Sequence, residues 1–227
     1  MTFVSFVRFI RAYWADILPR PFPRLVMMIK EPRLGHVKTR LGRDIGAVDA
    51  TWWFRHQTRQ IFRHLSDRRW QIILAVSPDN AALTRTFPGY LARIAQGRGD
   101  LGDRMARMLH SVPAGPALIL GADIPGVSRR HVARGFHALA RRDFAFGPAP
   151  DGGFWSVGAA RRRALPPALF SGARWSSEFA LADSLATLNG QTHELIDTLA
   201  DVDTGPDLAR WKNSARPRVR PVIGRQP

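Results

Sequence analysis

Six short apolar runs alternate along this chain with stretches of helical periodicity, and that alternation confines it to the α/β class. The runs are Leu25–Ile29, Trp70–Val76, Leu91–Gln96, Ala117–Gly121, Phe144–Gly147 and Phe154–Val157. Each is long enough for a strand buried on both faces and too short for a helix of ordinary length. Helical spacing fills the intervals at about 46–65, 102–111, 128–141 and 177–188, with Ser128 and Ser176 where N-caps belong. A β-α-β order of this kind calls for a mostly parallel sheet. A chain of 227 residues suffices for one such domain with a sizeable core.

The two ends read differently from the middle. Residues 3–18 place Phe3, Phe6, Val7, Ile10, Trp14 and Ile17 at helical spacing, which predicts an amphipathic helix that packs on the body of the protein or lies at an anionic membrane surface. Pro19, Pro21 and Pro23 then end any helix. We therefore expect an N-terminal extension over 1–23, a catalytic domain over 24–211 and a basic mobile tail over 212–227, where Arg and Pro recur.

Charge narrows the partners. The formal net charge is +16, and half of that excess sits in residues 1–24 and 212–227. Partners should be anionic: phosphates, nucleic acid or an acidic membrane surface. The absence of cysteine excludes disulfides, thiolate catalysis and cysteine-ligated metals. With no apolar run near the roughly 20 residues that span a bilayer, a cytoplasmic location is expected, with peripheral contact at the inner membrane surface through residues 3–18 as the alternative. The seven histidines are scattered along the chain and show no metal-ligand spacing.

The loop after the first apolar run, Lys30–Gly42, concentrates Arg33, Lys38 and Arg40 around Gly35. Cations and backbone amides at a strand's carboxyl end outline a phosphate site, although the Walker A spacing is missing. A solvated basic loop would look the same. Asp123 stands at the end of another apolar run, ahead of Pro125-Gly126. It could ligate a hard cation there or merely fix the turn.

Six blocks in order, KEPRLGHVKTRL at 30–41, QGRGDLGDRM at 96–105, GADIPG at 121–126, GPAPDGGFW at 147–155, WSS at 175–177 and DVDT at 201–204, resemble the glycosyltransferase-like DUF2064 family. That family is related to the nucleotidyltransferases that make molybdopterin and F420-type cofactors. The resemblance implies one GT-A domain, a Rossmann-like nucleotide-diphospho-sugar transferase fold with a mostly parallel mixed sheet. It further implies that Lys38 and Arg40, with Arg33 as a third cation, hold a nucleoside diphosphate. Asp123 would ligate Mg²⁺ or Mn²⁺ as the single-aspartate counterpart of D-x-D. Asp203 is the favoured second ligand, ahead of Asp151, with Asp201 as a weaker option. Asp151 is a candidate base or acceptor-binding group, and Gln96 and Gly99 resemble a base-recognition loop. Trp155 and Trp175 could stack on a sugar or acceptor, or fill the core.

The reading that follows is a metal-dependent glycosyltransferase that moves a sugar from a nucleoside diphosphate donor to an acceptor no linear motif discloses. A guanylyltransferase-like nucleotidyltransferase using a nucleoside triphosphate is the alternative, since the same cations and metal would serve it. A non-catalytic nucleic-acid-binding protein is weaker: no nucleic-acid module is visible, and the DGG and DVDT carboxylates would go unexplained.

Overall fold

The computed structural model describes residues 21–215. Seven strands are present: β1 (Arg24–Lys30), β2 (Gln71–Ser77), β3 (Ala92–Ala95), β4 (Ala117–Gly121), β5 (Phe144–Pro148), β6 (Phe154–Ala159) and β7 (His193–Leu195). The helices are α1 (Thr39–Ile45), α2 (Ala47–Leu65), α3 (Leu101–Ser111), α4 (Arg129–Arg141), α5 (Ala180–Ala186) and α6 (Gly205–Ala215), with a 3₁₀ turn at Asp79–Leu83.

The strands form one sheet in the order β3-β2-β1-β4-β6-β5-β7. Every neighbouring pair is parallel except the two that involve β6, which runs antiparallel to β4 and β5. The other six strands therefore end on one edge, and β6 begins there. From β1 the chain winds outward to β2 and β3, then returns to place β4 on the opposite side of β1. The β1/β4 boundary is thus a topological switch point, where loops diverge and open α/β sheets form their crevice.

Alternation along β1 divides the core. Leu25, Met27 and Ile29 face one layer with Ile61 and Leu65 of α2 and Val132 of α4, whereas Val26 joins Met105 and Leu109 of α3 and Phe170 on the other. Each fully buried aliphatic of this kind contributes about 1.5–3 kcal/mol relative to exposure, which fixes strand register tightly. Helix α3 starts at a reciprocal capping box, in which Asp100 accepts from the Asp103 amide and Asp103 from the Asp100 amide. Ser128 and His131 bracket the start of α4 likewise.

All six expected strands and the four expected helices are found, with ends shifted by up to three residues. Ser176 does not cap α5: it has φ 58°, and the helix begins only at Ala180. Three elements were not foreseen. Short α1 precedes the expected second helix; β7 is a three-residue edge strand, polar enough to read as loop; and α6 continues through 205–215, into the segment expected as tail. Its start carries a signal nonetheless, since Thr204 and Asp207 bond reciprocally and Pro206 occupies the first turn. Residues 1–20 and 216–227, which include the expected amphipathic helix and most of the expected tail, lie outside the described residues. No helix among the described residues is long and apolar enough to cross a membrane.

Candidate functional site

The loops that leave β1 and β4 at the switch point wall a cleft of about 780 Å³, closed on its far side by the start of β6 and the segment 175–180. Lys38 enters it from the loop after β1. Its backbone is left-handed, with φ 47° and ψ 46°, a conformation that costs a non-glycine residue of order 1–2 kcal/mol and here directs the side chain inward. The ammonium donates to Asp123 Oδ2 at 2.9 Å and to Asp203 Oδ1 at 2.6 Å, and the side chain is only 5% exposed. Burial works against this charge, but the Asp123 and Asp203 carboxylates outweigh it and hold the Lys38 pKa above its usual value.

Asp123 follows β4 directly. A Cβ on Gly121 would lie 2.6 Å from Asp123 Oδ1, so the first residue of the Gly-Ala-Asp triplet gives the carboxylate its room. Asp201 and Asp203 arrive from the far end of the chain. Between them Val202 is buried against Leu41, Ala50 and Leu208, and extended alternation turns both flanking carboxylates to the opposite side. One oxygen from each of Asp123, Asp201 and Asp203 lies within 4.8 Å of the others. Three hard oxygen donors at this spacing fit Mg²⁺ or Mn²⁺. Asp201, the weaker candidate from the sequence, thus stands level with Asp203.

Burial, and after it the charges of Asp203 and Asp123, push the Asp201 pKa up to about 6. A folded-state value above the unfolded one makes ionised Asp201 a destabilising group above pH 6, and the penalty disappears as pH falls through 6 towards 4. With divalent ions chelated, Asp201→Asn should therefore raise the melting temperature by several degrees at pH 7.5 and change it little near pH 4. Differential scanning calorimetry at the two pH values measures this.

The remaining candidates divide. Arg40, exposed, reaches Asp203 Oδ2 at 3.6 Å and lines the cleft, as do Asp151 and Trp175. Asp151 accepts from the Gly153 amide, and the Trp175 indole donates to Asp100 Oδ2 beside Phe154 and Phe170. Arg33 does not reach the cleft. It pairs with Glu31 on another face, because Gly35 turns the loop between it and Lys38. Trp155 also lines the cleft, but it is 3% exposed and its indole N–H is donated to the Asp197 carbonyl, so most of the ring packs in the core. Gly99 lies outside the cleft lining. Its φ of 102° and the 2.4 Å that would separate a Cβ from Asp103 Oδ2 explain the glycine by the α3 cap.

Gln96 does line the cleft, but its amide nitrogen donates to the carbonyls of Ala75 at 2.7 Å and Ile29 at 3.4 Å, tying the ends of β2 and β1 together. Gln96→Leu should thus lower stability by about 1–3 kcal/mol through orphaned buried groups. Urea denaturation of the ligand-free protein would show this loss, which a side chain serving only a base would not produce.

Lys30 and Arg104 were missed in the sequence. Both line the cleft, and Arg104 sits one turn after the α3 cap with its Nε donating to the Gly99 carbonyl. The sign was the i,i+4 spacing from Asp100, which places residue 104 over the helix start. With them, four cations (Lys30, Lys38, Arg40 and Arg104) face five carboxylates (Asp123, Asp151, Glu178, Asp201 and Asp203). The cleft alone carries about one negative charge.

A mostly parallel sheet with one reversed strand and an acidic and cationic cleft at its switch point defines the nucleotide-diphospho-sugar transferase class of fold. A candidate nucleotide-diphospho-sugar transferase from Desulfovibrio desulfuricans G20 superposes with a TM-score of 0.79 at 25% identity, over 87% of this chain and 89% of that one. The 4-diphosphocytidyl-2C-methyl-D-erythritol synthase of Anaerococcus prevotii DSM 20548 shares the fold, at TM-score 0.56 and 9% identity over 85% of this chain and 95% of that one. The chain belongs to the DUF2064 family, described as an uncharacterized protein conserved in bacteria, whose model matches residues 60–177. No curated protein sequence matches it. Of the sequence blocks, Lys30–Leu41 and Asp201–Thr204 lie outside the matched span.

Proposed function

We propose that this protein is a metal-dependent transferase that moves a sugar from a nucleoside diphosphate donor to an acceptor hydroxyl. The observation that carries this reading is the convergence of Asp123, Asp201 and Asp203 with Lys38 and Arg40 at the switch point. A diphosphate adds two or more negative charges to a cleft that is already negative, so a divalent cation is needed for charge balance. Bound to the three aspartates, Mg²⁺ or Mn²⁺ supplies a Lewis acid for the departing diphosphate. Lys38 and Arg40 bind the phosphate oxygens, with Arg104 as the third cation in place of Arg33. Asp151, exposed at the cleft wall, accepts the proton of the acceptor hydroxyl, and the half-buried Trp175 borders the acceptor. The name of the Desulfovibrio relative, a nucleotide-diphospho-sugar transferase, agrees with this donor class.

The test is release of nucleoside diphosphate from a panel of nucleotide sugars with Mn²⁺, run beside release of pyrophosphate from nucleoside triphosphates with sugar phosphates. Manganese-dependent diphosphate release is the expected result. Pyrophosphate release alone would replace sugar transfer by nucleotidyl transfer at the same site. Neither product, with no nucleotide raising the melting temperature, would remove the enzymatic reading.

A further inference from the structure

On the face that Arg33 shares with α2, Leu34, Val48 and Trp52 are 59%, 67% and 65% exposed. They rim a groove between the β1–α1 loop and the start of α2. Three large apolar side chains presented together, two of them on a helix whose opposite face already fills the core with Phe54, Ile61 and Leu65, form an unusual exposed patch. Trp52 is held by stacking on His56, with ring centroids 5.4 Å apart and planes inclined by 7°.

The same helix face continues in cations. Val48, Trp52, Arg55, Arg59 and Arg63 recur at three- and four-residue steps, so one stripe runs from an apolar tip into three exposed arginines. None of those three arginines has an ion-pair partner among the described residues, in contrast to Arg33, Arg69, Arg134, Arg141 and Arg174. An apolar tip with tryptophan, bordered by unpaired arginines, matches the boundary between acyl chains and anionic headgroups. Nucleic acid would use the arginines and Trp52 but has no apolar layer to receive Leu34 and Val48.

We propose that this face, formed by Leu34, Val48 and Trp52 with Arg55, Arg59 and Arg63, docks the protein on an anionic lipid bilayer. The inference stands apart from the reaction assigned to the cleft, since none of these six residues lines it. Leu34 inserts from the loop that carries Lys38 four residues later, so docking holds that loop near the membrane plane.

The experiment is co-sedimentation of the full chain with vesicles of phosphatidylcholine, with and without about 30 mol % phosphatidylglycerol to give the surface a negative potential. The wild type should sediment with the anionic vesicles and not with the neutral ones. Leu34→Ser/Trp52→Ser should lower partitioning on the order of tenfold, and Arg55→Glu/Arg59→Glu by about fivefold or more per residue. Unchanged melting temperatures would show that both variants fold; should either unfold, the single changes Trp52→Ser and Arg55→Gln carry the same test. Anionic binding that survives both sets would overturn the proposal and move the contact to other residues. Loss with the arginine variant alone, together with displacement by an RNA oligonucleotide, would overturn it in favour of nucleic acid. A wild type that ignores vesicles but is a dimer dispersed by the serine variant would overturn it in favour of self-association.

Discussion

Asp123→Asn and Asp203→Asn should each abolish measurable Mn²⁺ binding to the ligand-free protein and lower metal-dependent turnover by about 10³-fold, or about 4 kcal/mol of transition-state stabilisation. Each change removes one carboxylate from a set of three whose oxygens lie within 4.8 Å of one another, the set proposed to hold the metal. The fold should survive, because both side chains are partly exposed and pair only with Lys38 and Arg40. Isothermal titration with Mn²⁺ and a donor-turnover assay measure the two losses, with the melting curve as control. If either variant keeps wild-type Mn²⁺ affinity, the metal does not sit on these aspartates.

Lys38→Met should have the opposite effect on the metal and a severe one on the donor. In the ligand-free protein the Lys38 ammonium bridges two of the three carboxylates, so an incoming divalent ion must displace it. Without the ammonium the mutual repulsion of the aspartates is relieved only by the exposed Arg40, and Mn²⁺ should bind about tenfold more tightly, which is about 1.4 kcal/mol. The nucleoside diphosphate should bind at least tenfold more weakly, because on the proposed reading the cation freed by the metal is the one that meets the phosphates. Titrating Mn²⁺ and nucleotide separately distinguishes this exchange from a purely structural salt bridge, whose loss would weaken both. Lys38→Arg should restore the nucleotide arm only in part, since a planar guanidinium cannot reproduce a compact point charge between two carboxylates.

The relation between Lys38 and the aspartates also shows what kind of information a sequence withholds. Lys38 and Asp123 could each be singled out from their position after an apolar run, because strand ends and turn residues are local properties. Their contact spans 85 positions, and that of Lys38 with Asp203 spans 165. Neither leaves a local trace. Arg33 and Lys38 illustrate the converse: five residues apart in one basic loop, they face different sides of the molecule because Gly35 and the left-handed Lys38 reverse the backbone between them. Trp155 and Trp175 were equivalent as candidates for stacking on a sugar. Both line the cleft, but burial separates them: Trp155 is nearly enclosed and bonded to the Asp197 carbonyl, whereas Trp175 is half-buried at the wall. Asp201 rose in standing for a similar reason, since the burial of Val202 sets the direction of both its neighbours.

By itself the sequence determined the α/β class, the six main strands and four helices, and the loops in which the cleft residues lie, because apolar periodicity, turn residues and caps act over a few positions. Only the tertiary structure decided which charges converge. The sheet order puts β4 beside β1 and brings the last loop across them, so that three carboxylates from two distant segments and one buried ammonium share a cleft. It also decided what stays outside, leaving Leu34, Val48 and Trp52 uncovered, because the core of α2 was already filled from its other face.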